Sequence, residues 1–326
     1  MTGRYGFRTI CCATLLMTSL QLAAQQQVVD PGFRASVGNP AFASGKGPVV
    51  AIDEAHSNFH TAGGQYRPFA DLLAADGYRV TASTHKLEAG VLADVNVLVI
   101  ANARDLAALL AGDLSKPAFT EHECDVVQDW VRAGGSLLLI ADHAPFGNAA
   151  ASLGQRFGVA MGKGWTFDRA SAGGITTQFD FSRENGLLGD HVILRGRGPE
   201  DEIRRLRSFT GQSLGAPTGA TVLMRLSPTA RDAATPADLD AEDAASRGPD
   251  PAARGQHSSA PAGPAQGIAM VFGAGRVVVL GEAAMLSAQV IRYPDGREQK
   301  FGMNVPGNDD RQFALNVVHW LSGFLR

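Results

Sequence analysis

Short apolar runs recur along the first half of the chain and alternate with stretches of helical periodicity. The runs at 49–52, 95–100 and 136–140 are apolar except for Asn96 and Ser136, which is typical of strands that are buried on both faces. Residues 78–81 form a shorter predicted strand between the first two runs. Residues 66–76, which precede this strand, carry apolar side chains at helical spacing. This alternation predicts an α/β fold with a mostly parallel sheet and helices on both faces.

Polar and glycine residues mark the expected helix ends. Thr120 and Glu123 form a capping-box pattern that begins a helix, and Gly77 stands where the first helix should stop. Apolar residues at helical spacing also predict a last helix over 309–324.

The second half of the chain contains one clear hairpin and one segment without apolar periodicity. Residues 267–272 and, after Arg276, residues 277–280 are apolar, and a Gly-Ala-Gly turn joins the two segments 267–272 and 276–280. This pattern predicts two antiparallel strands. Residues 227–266 are rich in Ala, Pro, Asp, Gly and Ser, and we expect a low-complexity insertion that is disordered or loosely held at the surface. With a flexible N-terminal arm at 25–47, the pattern predicts a single domain over 48–326.

The composition and the lengths of the apolar runs argue against binding to nucleic acid and against insertion in a membrane. The chain has 326 residues, of which 45% are hydrophobic and 19% are charged, so it can bury a large core. The formal net charge is −3 and no basic stripe is visible, which argues against binding to nucleic acid. No apolar run inside the chain is long enough to span a membrane.

The first 24 residues, 1–24, have the features of a secretory signal peptide. Arg4 and Arg8 precede an apolar stretch, and small residues follow up to Ala24, where we expect cleavage. An uncleaved anchor is the alternative, although the apolar stretch is short for a membrane span. We therefore expect a protein that is exported to the periplasm or the cell exterior and is not inserted in the membrane after cleavage. Cleavage would leave Cys124 as the only cysteine, so no internal disulfide could form.

Ionisable and amide side chains follow most of the predicted parallel strands. In open parallel sheets, ligands bind beyond the carboxyl ends of the strands, so these residues are the candidates for a site. They are Asp53, Glu54, His56 and His60 after the first strand, Asn102 after the third, Asp142 and His143 after the fourth, and Glu282 after the hairpin.

Imidazole and carboxylate groups at one edge are typical ligands of a divalent metal ion. Glu54, His56, Asn58 and His60 are spaced by two, which places them on one side if the segment is extended. The candidate metal ligands are Glu54, His56, His60, Asp142, His143 and Glu282, and the ion could be zinc or calcium.

The candidate catalytic residues are His143, Glu54 and Asp142, of which His143 or Glu54 would act as the base. The alternative is that Asp53 and Asp142 cap loops and that the histidines bond to the backbone. No phosphate-binding loop or dinucleotide fingerprint is present, so we expect no nucleotide cofactor.

Several motifs resemble a known family. The segment 49–78, which contains Asp-Glu-Ala-His-x-Asn-x-His, is similar to that of secreted bacterial proteins with a class I glutamine amidotransferase-like domain, whose function is uncharacterised. Gly-Gly-Ser-Leu-Leu-Leu-Ile-Ala-Asp-His at 134–143 and Gly-Glu-Ala-Ala-Met at 281–285 resemble the same family. The resemblance implies a three-layer, flavodoxin-like sheet. No cysteine occupies the turn after the strand at 136–140, so amidotransferase chemistry is not expected.

Two functions from different classes fit these features. The first is an exported, metal-assisted hydrolase that acts on a small-molecule substrate such as an ester, a lactone, an amide or a glycan-derived compound. The alternative is a module that binds a small molecule or a carbohydrate in the same crevice without catalysis. A purely structural domain is a third reading, but such a domain needs no ionisable residues at its strand ends.

Overall fold

The computed structural model of this protein describes residues 26–113, 115–171, 176–247 and 259–326. The expected signal peptide at 1–24 lies outside the described residues. Within them, no helix is both long enough and apolar enough to cross a membrane.

The described residues form a succession of short strands and helices. The strands are β1 (Gln26–Val29), β2 (Val49–Asp53), β3 (Arg79–Ser83), β4 (Val97–Ala101), β5 (Ser136–Ile140), β6 (Ala160–Met161), β7 (Trp165–Phe167), β8 (Gln178–Ser182), β9 (Arg205–Phe209), β10 (Leu214–Gly215), β11 (Thr221–Arg225), β12 (Arg231–Ala233), β13 (Ser259–Pro261), β14 (Ala265–Phe272), β15 (Gly275–Leu280), β16 (Ala288–Arg292) and β17 (Glu298–Gly302). The helices are α1 (Arg67–Ala75), α2 (Ala89–Leu92), α3 (Leu106–Leu110), α4 (Glu121–Arg132), α5 (Phe146–Arg156), α6 (Val192–Arg195), α7 (Pro236–Arg247) and α8 (Asp310–Leu321).

A nine-stranded sheet forms the centre of the fold. Its order is β3-β2-β4-β5-β15-β14-β10-β6, and β11 pairs with β14 outside this path. The first five strands of this order are parallel, and the strands beyond β15 are antiparallel. Numbered along the chain, the five parallel strands follow the order 2-1-3-4-5, which is the flavodoxin-like arrangement. The predicted α/β class with a mostly parallel sheet is therefore confirmed.

Helices cover both faces of this sheet because its central strands are apolar on both sides. In β5, Leu138 and Ile140 belong to one buried cluster, whereas Leu137 and Leu139 belong to another. Helices α1 and α8 pack into the first cluster, and α4 and α5 pack into the second. The sheet thus lies between two helical layers, as the continuous apolar runs predicted.

The predicted helix and hairpin boundaries are close to those observed. The capping box at Thr120 and Glu123 is formed, with both reciprocal hydrogen bonds present at the start of α4. Strands β14 and β15 pair as the predicted hairpin, with Gly267 opposite Leu280. Gly77 follows α1 with a φ of 93°, which is the conformation that glycine supplies after a helix.

The N-terminal segment differs from the flexible arm that was expected at 25–47. Strand β1 pairs antiparallel with β16, from Gln26 opposite Arg292 onwards. Farther along, the Ala41 and Phe42 amides donate to the side chain and the backbone of Asp76, respectively. Pairing with β16 and hydrogen bonds to the buried Asp76 hold the segment against the domain. The composition of residues 25–47 does not reveal either partner, because both lie elsewhere in the sequence.

The segment 227–266 also differs from the disordered or loosely held surface insertion that was expected. Its described residues include β12, α7, β13 and the start of β14, and β12 pairs with both β7 and β13. The Asp232 carboxylate accepts hydrogen bonds from Thr166 and Ser213, each at 2.6 Å. Pairing with distant strands therefore orders a sequence that has few core-forming residues. Residues 248–258 of this segment lie outside the described part of the chain.

Gly77 offers a test of how the N-terminal segment is held. A Cβ atom at this position would lie 2.2 Å from the Phe42 carbonyl oxygen, and the positive φ adds strain for any other residue. We expect Gly77→Ala to lower the free energy of unfolding by about 1–3 kcal/mol from the backbone conformation alone, measured by urea denaturation. The matched control is Gly90→Ala in α2, where no atom lies within 4 Å of the new Cβ. Equal stability of the two variants would contradict this packing.

Candidate functional site

The carboxyl ends of four neighbouring parallel strands bring most of the candidate residues to one edge of the sheet. Strands β2, β4, β5 and β15 are adjacent in that order. Glu54, Asn102, Asp142 and Glu282 follow their last residues directly or one position later. The order of the parallel strands reverses between β2 and β4, and that switch point is where flavodoxin-like sheets bind ligands. We call this edge the strand-end crevice.

Asn102 connects the residues that follow three different strands. It is buried, with a φ of 51°, and its Oδ1 accepts a 2.8 Å hydrogen bond from the Asp142 amide. Its Nδ2 lies 3.2 Å from Nδ1 of His60. The Phe59 amide also donates to the Asn102 carbonyl, so the loop after β2 lies against the end of β4.

Glu282 is a buried carboxyl group at the end of β15. Its two oxygens accept hydrogen bonds from the Ala284 and Met285 amides, at 2.7 and 2.8 Å. Burial raises the pKa of Glu282 well above its ordinary value, and the nearby charge of Asp142 raises it further. The protonated form of Glu282 is therefore more favoured than that of an ordinary carboxyl group, next to the half-buried Asp142.

Tyr66 is a buried member of the site that the sequence reasoning used only as the start of a helix. Its hydroxyl donates a 2.9 Å hydrogen bond to the Ala283 carbonyl. Burial, followed by the charges of Glu282 and Asp142, raises the pKa of Tyr66 well above its ordinary value. The phenol thus stays protonated and joins the start of α1 to the turn after β15. A tyrosine immediately before an Arg-Pro helix start is the only local signal for it.

His143 follows Asp142 and is half-buried, with a defined tautomer. Its Nδ1 lies 2.8 Å from the Ala144 carbonyl oxygen, which can only accept, so Nδ1 carries a proton. In the neutral ring, Nε2 therefore holds a lone pair. The ring is stacked on Trp165 with centroids 5.5 Å apart, and Phe146 lies 6.3 Å away.

His60 is buried, with 3% of its surface exposed. Burial lowers its pKa to about 3, so the ring is neutral at physiological pH. Its ring lies 4.5 Å from that of Tyr66 and 5.2 Å from that of Phe59. Its Nε2 has no hydrogen-bond partner among the described residues.

His56 lies apart from the crevice and is held between two carboxylates. Its Nδ1 is 2.8 Å from Asp53 Oδ2 and its Nε2 is 2.9 Å from Glu123 Oε1, and all three residues are buried. The loop is not extended here, because Ser57 has a φ of 49°. The expected projection of alternate residues to one side is therefore absent, and both nitrogens of His56 are already engaged.

Glu54 has one carboxylate oxygen engaged within its own loop. Its Oε1 accepts a 2.8 Å hydrogen bond from the Ala62 amide, and the residue is half-buried. The six proposed metal ligands are therefore not all free to bind an ion. Both ring nitrogens of His56 are engaged by other residues, and one oxygen of Glu54 caps a loop. No group of three or more His, Cys, Asp or Glu side chains that could hold a metal ion occurs among the residues that the structure describes.

Gln212 is a further residue at the crevice that sequence reasoning missed. Its Nε2 donates a 2.7 Å hydrogen bond to the Ala141 carbonyl, directly before Asp142. Its buried Oε1 has no partner in the described part of the chain. It lies between β9 and β10 in a stretch with little apolar periodicity, so the sequence offers no signal for it.

The one remaining cysteine expected in the mature chain is not placed for catalysis. Cys124 is buried on α4, and burial raises the pKa of its thiol. A raised pKa disfavours the reactive thiolate.

Comparisons with known proteins support the fold. No family model matches the chain, and no curated protein matches it in sequence. The structure described as the mmIFT52 N-terminal domain aligns with a TM-score of 0.55 at 12% identity, covering 84% of this chain and 97% of that one. At this identity the likeness shows a shared fold and nothing about activity.

Two other solved structures are more distant. A protein from Bacteroides uniformis described as ThuA-like has a TM-score of 0.42 at 11% identity, covering 90% of this chain and 95% of its own. The exo-beta-1,4-mannosidase Op5Man5 from Opitutaceae bacterium strain TAV5 has a TM-score of 0.35 at 13% identity, covering 72% of this chain but 31% of the mannosidase. These likenesses are too remote to bear on the reaction of this chain.

The contact between His56 and Glu123 predicts an acid-sensitive contribution to stability. Burial opposes ionisation of Glu123, but hydrogen bonds from Thr120 and His56 outweigh it and lower its pKa to about 2 from 4.5. A lowered pKa stabilises the folded state above the unfolded value, and this stability is lost as the pH falls from about 4.5 towards 2. We expect Glu123→Gln to weaken this pH dependence and to reduce stability at neutral pH by about 1–3 kcal/mol.

The measurement is urea unfolding between neutral pH and the acid range. The matched control is Glu121→Gln in the first turn of the same helix, where the side chain is exposed and pairs with Arg156 at the surface. A surface pair contributes about 0–1 kcal/mol, so this control should change little. An unchanged acid profile in Glu123→Gln would contradict the assignment.

Proposed function

We propose that this protein is an exported hydrolase that binds a small polar substrate in the strand-end crevice. The observation that carries the proposal is the proximity of two carboxyl groups in different environments. Asp142 is half-buried at the end of β5, and its charge contributes to the raised pKa of the buried Glu282 at the end of β15. Pairs of titratable groups whose surroundings separate their pKa values are typical of acid–base sites.

Asp142 and His143 are the groups that can reach a substrate. Both are half-buried, whereas Glu282 is 1% exposed. The raised pKa of Glu282 favours its protonated form, which lessens the negative charge that Asp142 faces across the crevice. Glu282 thereby acts as a positioning residue, and Asp142 or the Nε2 lone pair of His143 acts as the base that activates water.

The surroundings favour an uncharged, hydroxyl-bearing substrate. The carboxylates of Glu54 and Asp142 repel anions and accept hydrogen bonds from hydroxyl groups. Trp165 stacks on His143, and Phe146 and the partly exposed Phe59 lie nearby, with 6.5 Å between the Phe59 and Phe146 rings. Aromatic faces beside hydrogen-bonding groups suit the apolar faces and hydroxyl edges of a glycan-derived compound, and a polar ester, lactone or amide presents similar groups.

Metal assistance is the less supported form of this proposal. Of the six proposed ligands, His56 is saturated by Asp53 and Glu123, and Glu282 accepts two amide hydrogen bonds. Glu54, His60, Asp142 and His143 remain, and one oxygen of Glu54 already accepts a hydrogen bond from the Ala62 amide. We therefore assign the proton transfers to the chain's own side chains.

The alternative is a module that binds such a compound without turnover. His60 Nε2 and Gln212 Oε1 favour it, because neither atom has a partner in the described part of the chain and such polar atoms are suited to holding a ligand. Ligand-dependent thermal stabilisation without product formation would identify this function.

Activity assays on matched variants test the hydrolase proposal. Wild-type protein without residues 1–24 is incubated with 4-nitrophenyl acetate and with a set of 4-nitrophenyl glycosides. We expect Asp142→Asn and His143→Gln to lower kcat/KM by about 10²–10⁴ for whichever group is the base, since general-base catalysis contributes this factor. The controls are Asp94→Asn and His122→Gln at exposed positions. Turnover that persists unchanged in both crevice variants, or that is absent for every substrate, would refute the hydrolase.

Metal content is tested separately on the same protein. Elemental analysis of the purified chain, followed by treatment with a chelator, should leave kcat/KM and the thermal midpoint unchanged if the side chains carry the reaction. Stoichiometric metal, together with activity that chelation removes and zinc or calcium restores, would instead establish the metal-assisted form.

A further inference from the structure

Among the described residues, one buried side-chain nitrogen in the crevice has no hydrogen-bond partner. Nε2 of His60 exposes almost no surface and has no hydrogen-bond partner among the described residues. Buried polar atoms are nearly always paired in folded proteins, and the exceptions occur where a ligand or an ordered water completes the pairing.

A chain of hydrogen bonds determines which proton His60 carries. The Asp142 amide can only donate, so the atom of Asn102 that faces it is the oxygen. The other arm of the Asn102 side chain is therefore the NH₂ group, which donates to Nδ1 of His60 over 3.2 Å. Nδ1 is then the acceptor of a neutral ring, and the ring proton is on Nε2.

The surroundings hold this ring in place. The ring is held between Tyr66 and Phe59, at centroid distances of 4.5 and 5.2 Å. Phe59 is 42% exposed, so the His60 side chain lies one ring away from solvent.

We infer that His60 Nε2–H donates a hydrogen bond to a hydroxyl oxygen of an uncharged polyhydroxylated ligand in the strand-end crevice. The inference rests on the proposed function for the location of the ligand, and it adds the residue that selects for an acceptor oxygen. His60 is the donor in a site whose other nearby groups, Glu54 and Asp142, are acceptors. A hydroxyl group satisfies both kinds of partner because it donates and accepts. A carboxylate ligand would accept from His60 but would be repelled by the two acidic residues.

Asn102→Asp tests the hydrogen bonds from the Asp142 amide through Asn102 to His60 most directly. It replaces the donor NH₂ group by an acceptor oxygen and keeps the shape of the side chain. A carboxylate accepts from the Asp142 amide as before, but its second oxygen can only accept from Nδ1 of His60. The ring proton then moves to Nδ1, and Nε2 becomes a lone pair. His60→Phe provides a second variant that keeps an aromatic ring and removes the donor. Asn148→Asp, at a half-buried position outside this chain of hydrogen bonds, is the matched control.

The experiment follows the histidine ring nitrogens by NMR in ¹⁵N-histidine-labelled protein, with His60 assigned by its loss in His60→Phe. Wild-type protein should show His60 as the neutral Nε2–H tautomer. Glycerol should shift its Nε2 resonance, and acetate at equal concentration should shift it less. In Asn102→Asp the proton should move to Nδ1 and the glycerol response should weaken by about tenfold, the effect of losing one hydrogen bond. The Asn148→Asp control should resemble the wild type.

Three results would overturn the inference. They are a wild-type His60 with its proton on Nδ1, a Nε2 resonance that glycerol does not move, and a response to acetate larger than that to glycerol. These readouts do not depend on turnover. A glycerol response in a protein that hydrolyses nothing would refute the hydrolase and leave the His60 assignment intact. Hydrolysis that requires Asp142, together with a His60 Nε2 resonance that glycerol does not shift, would support the hydrolase and refute the His60 assignment.

Discussion

The register of the buried parallel ladder is the constraint on which the site depends. Ala101 of β4 pairs with Ile140 of β5, which pairs with Leu280 of β15, so these strands end at the same level. Both faces of the sheet are covered, and a slip of one residue would turn every side chain to the opposite face. Unpaired backbone groups in this interior would also be costly. The polar residues that follow each strand are therefore held at one edge.

Burial shifts the pKa values of three titratable groups in the crevice towards their uncharged forms. It raises the pKa of Glu282 and of Tyr66, and it lowers the pKa of His60. Asp142 and His143 are the half-buried groups among these neighbours. The low polarity of the buried surroundings makes it costly to bury these polar groups. The same low polarity shifts their pKa values, and acid–base chemistry needs groups whose pKa values differ.

Secondary structure was predictable where it depends on local pattern. The apolar run of β5 coincides with the predicted 136–140, and the capping box of α4 forms as its residues imply. Prediction failed where distant pairing supplies the order. Strand β1 is held by β16, and β12 pairs with β7, across chain separations that no local window includes. The short strands β6 and β10 have too few residues to show a period.

The sequence by itself determined the parallel sheet, its helical layers and the edge at which chemistry is expected, because those follow from short-range periodicity and from strand ends. It could not determine what each polar residue does at that edge. His56 and His60 stand four positions apart in one loop and look alike in the sequence. His56 is engaged by Asp53 and by Glu123, which is 67 residues away. His60 receives its bond from Asn102, 42 residues away, and its Nε2 has no partner among the described residues. Only the tertiary structure separates them, because a hydrogen-bond partner is chosen by proximity in space.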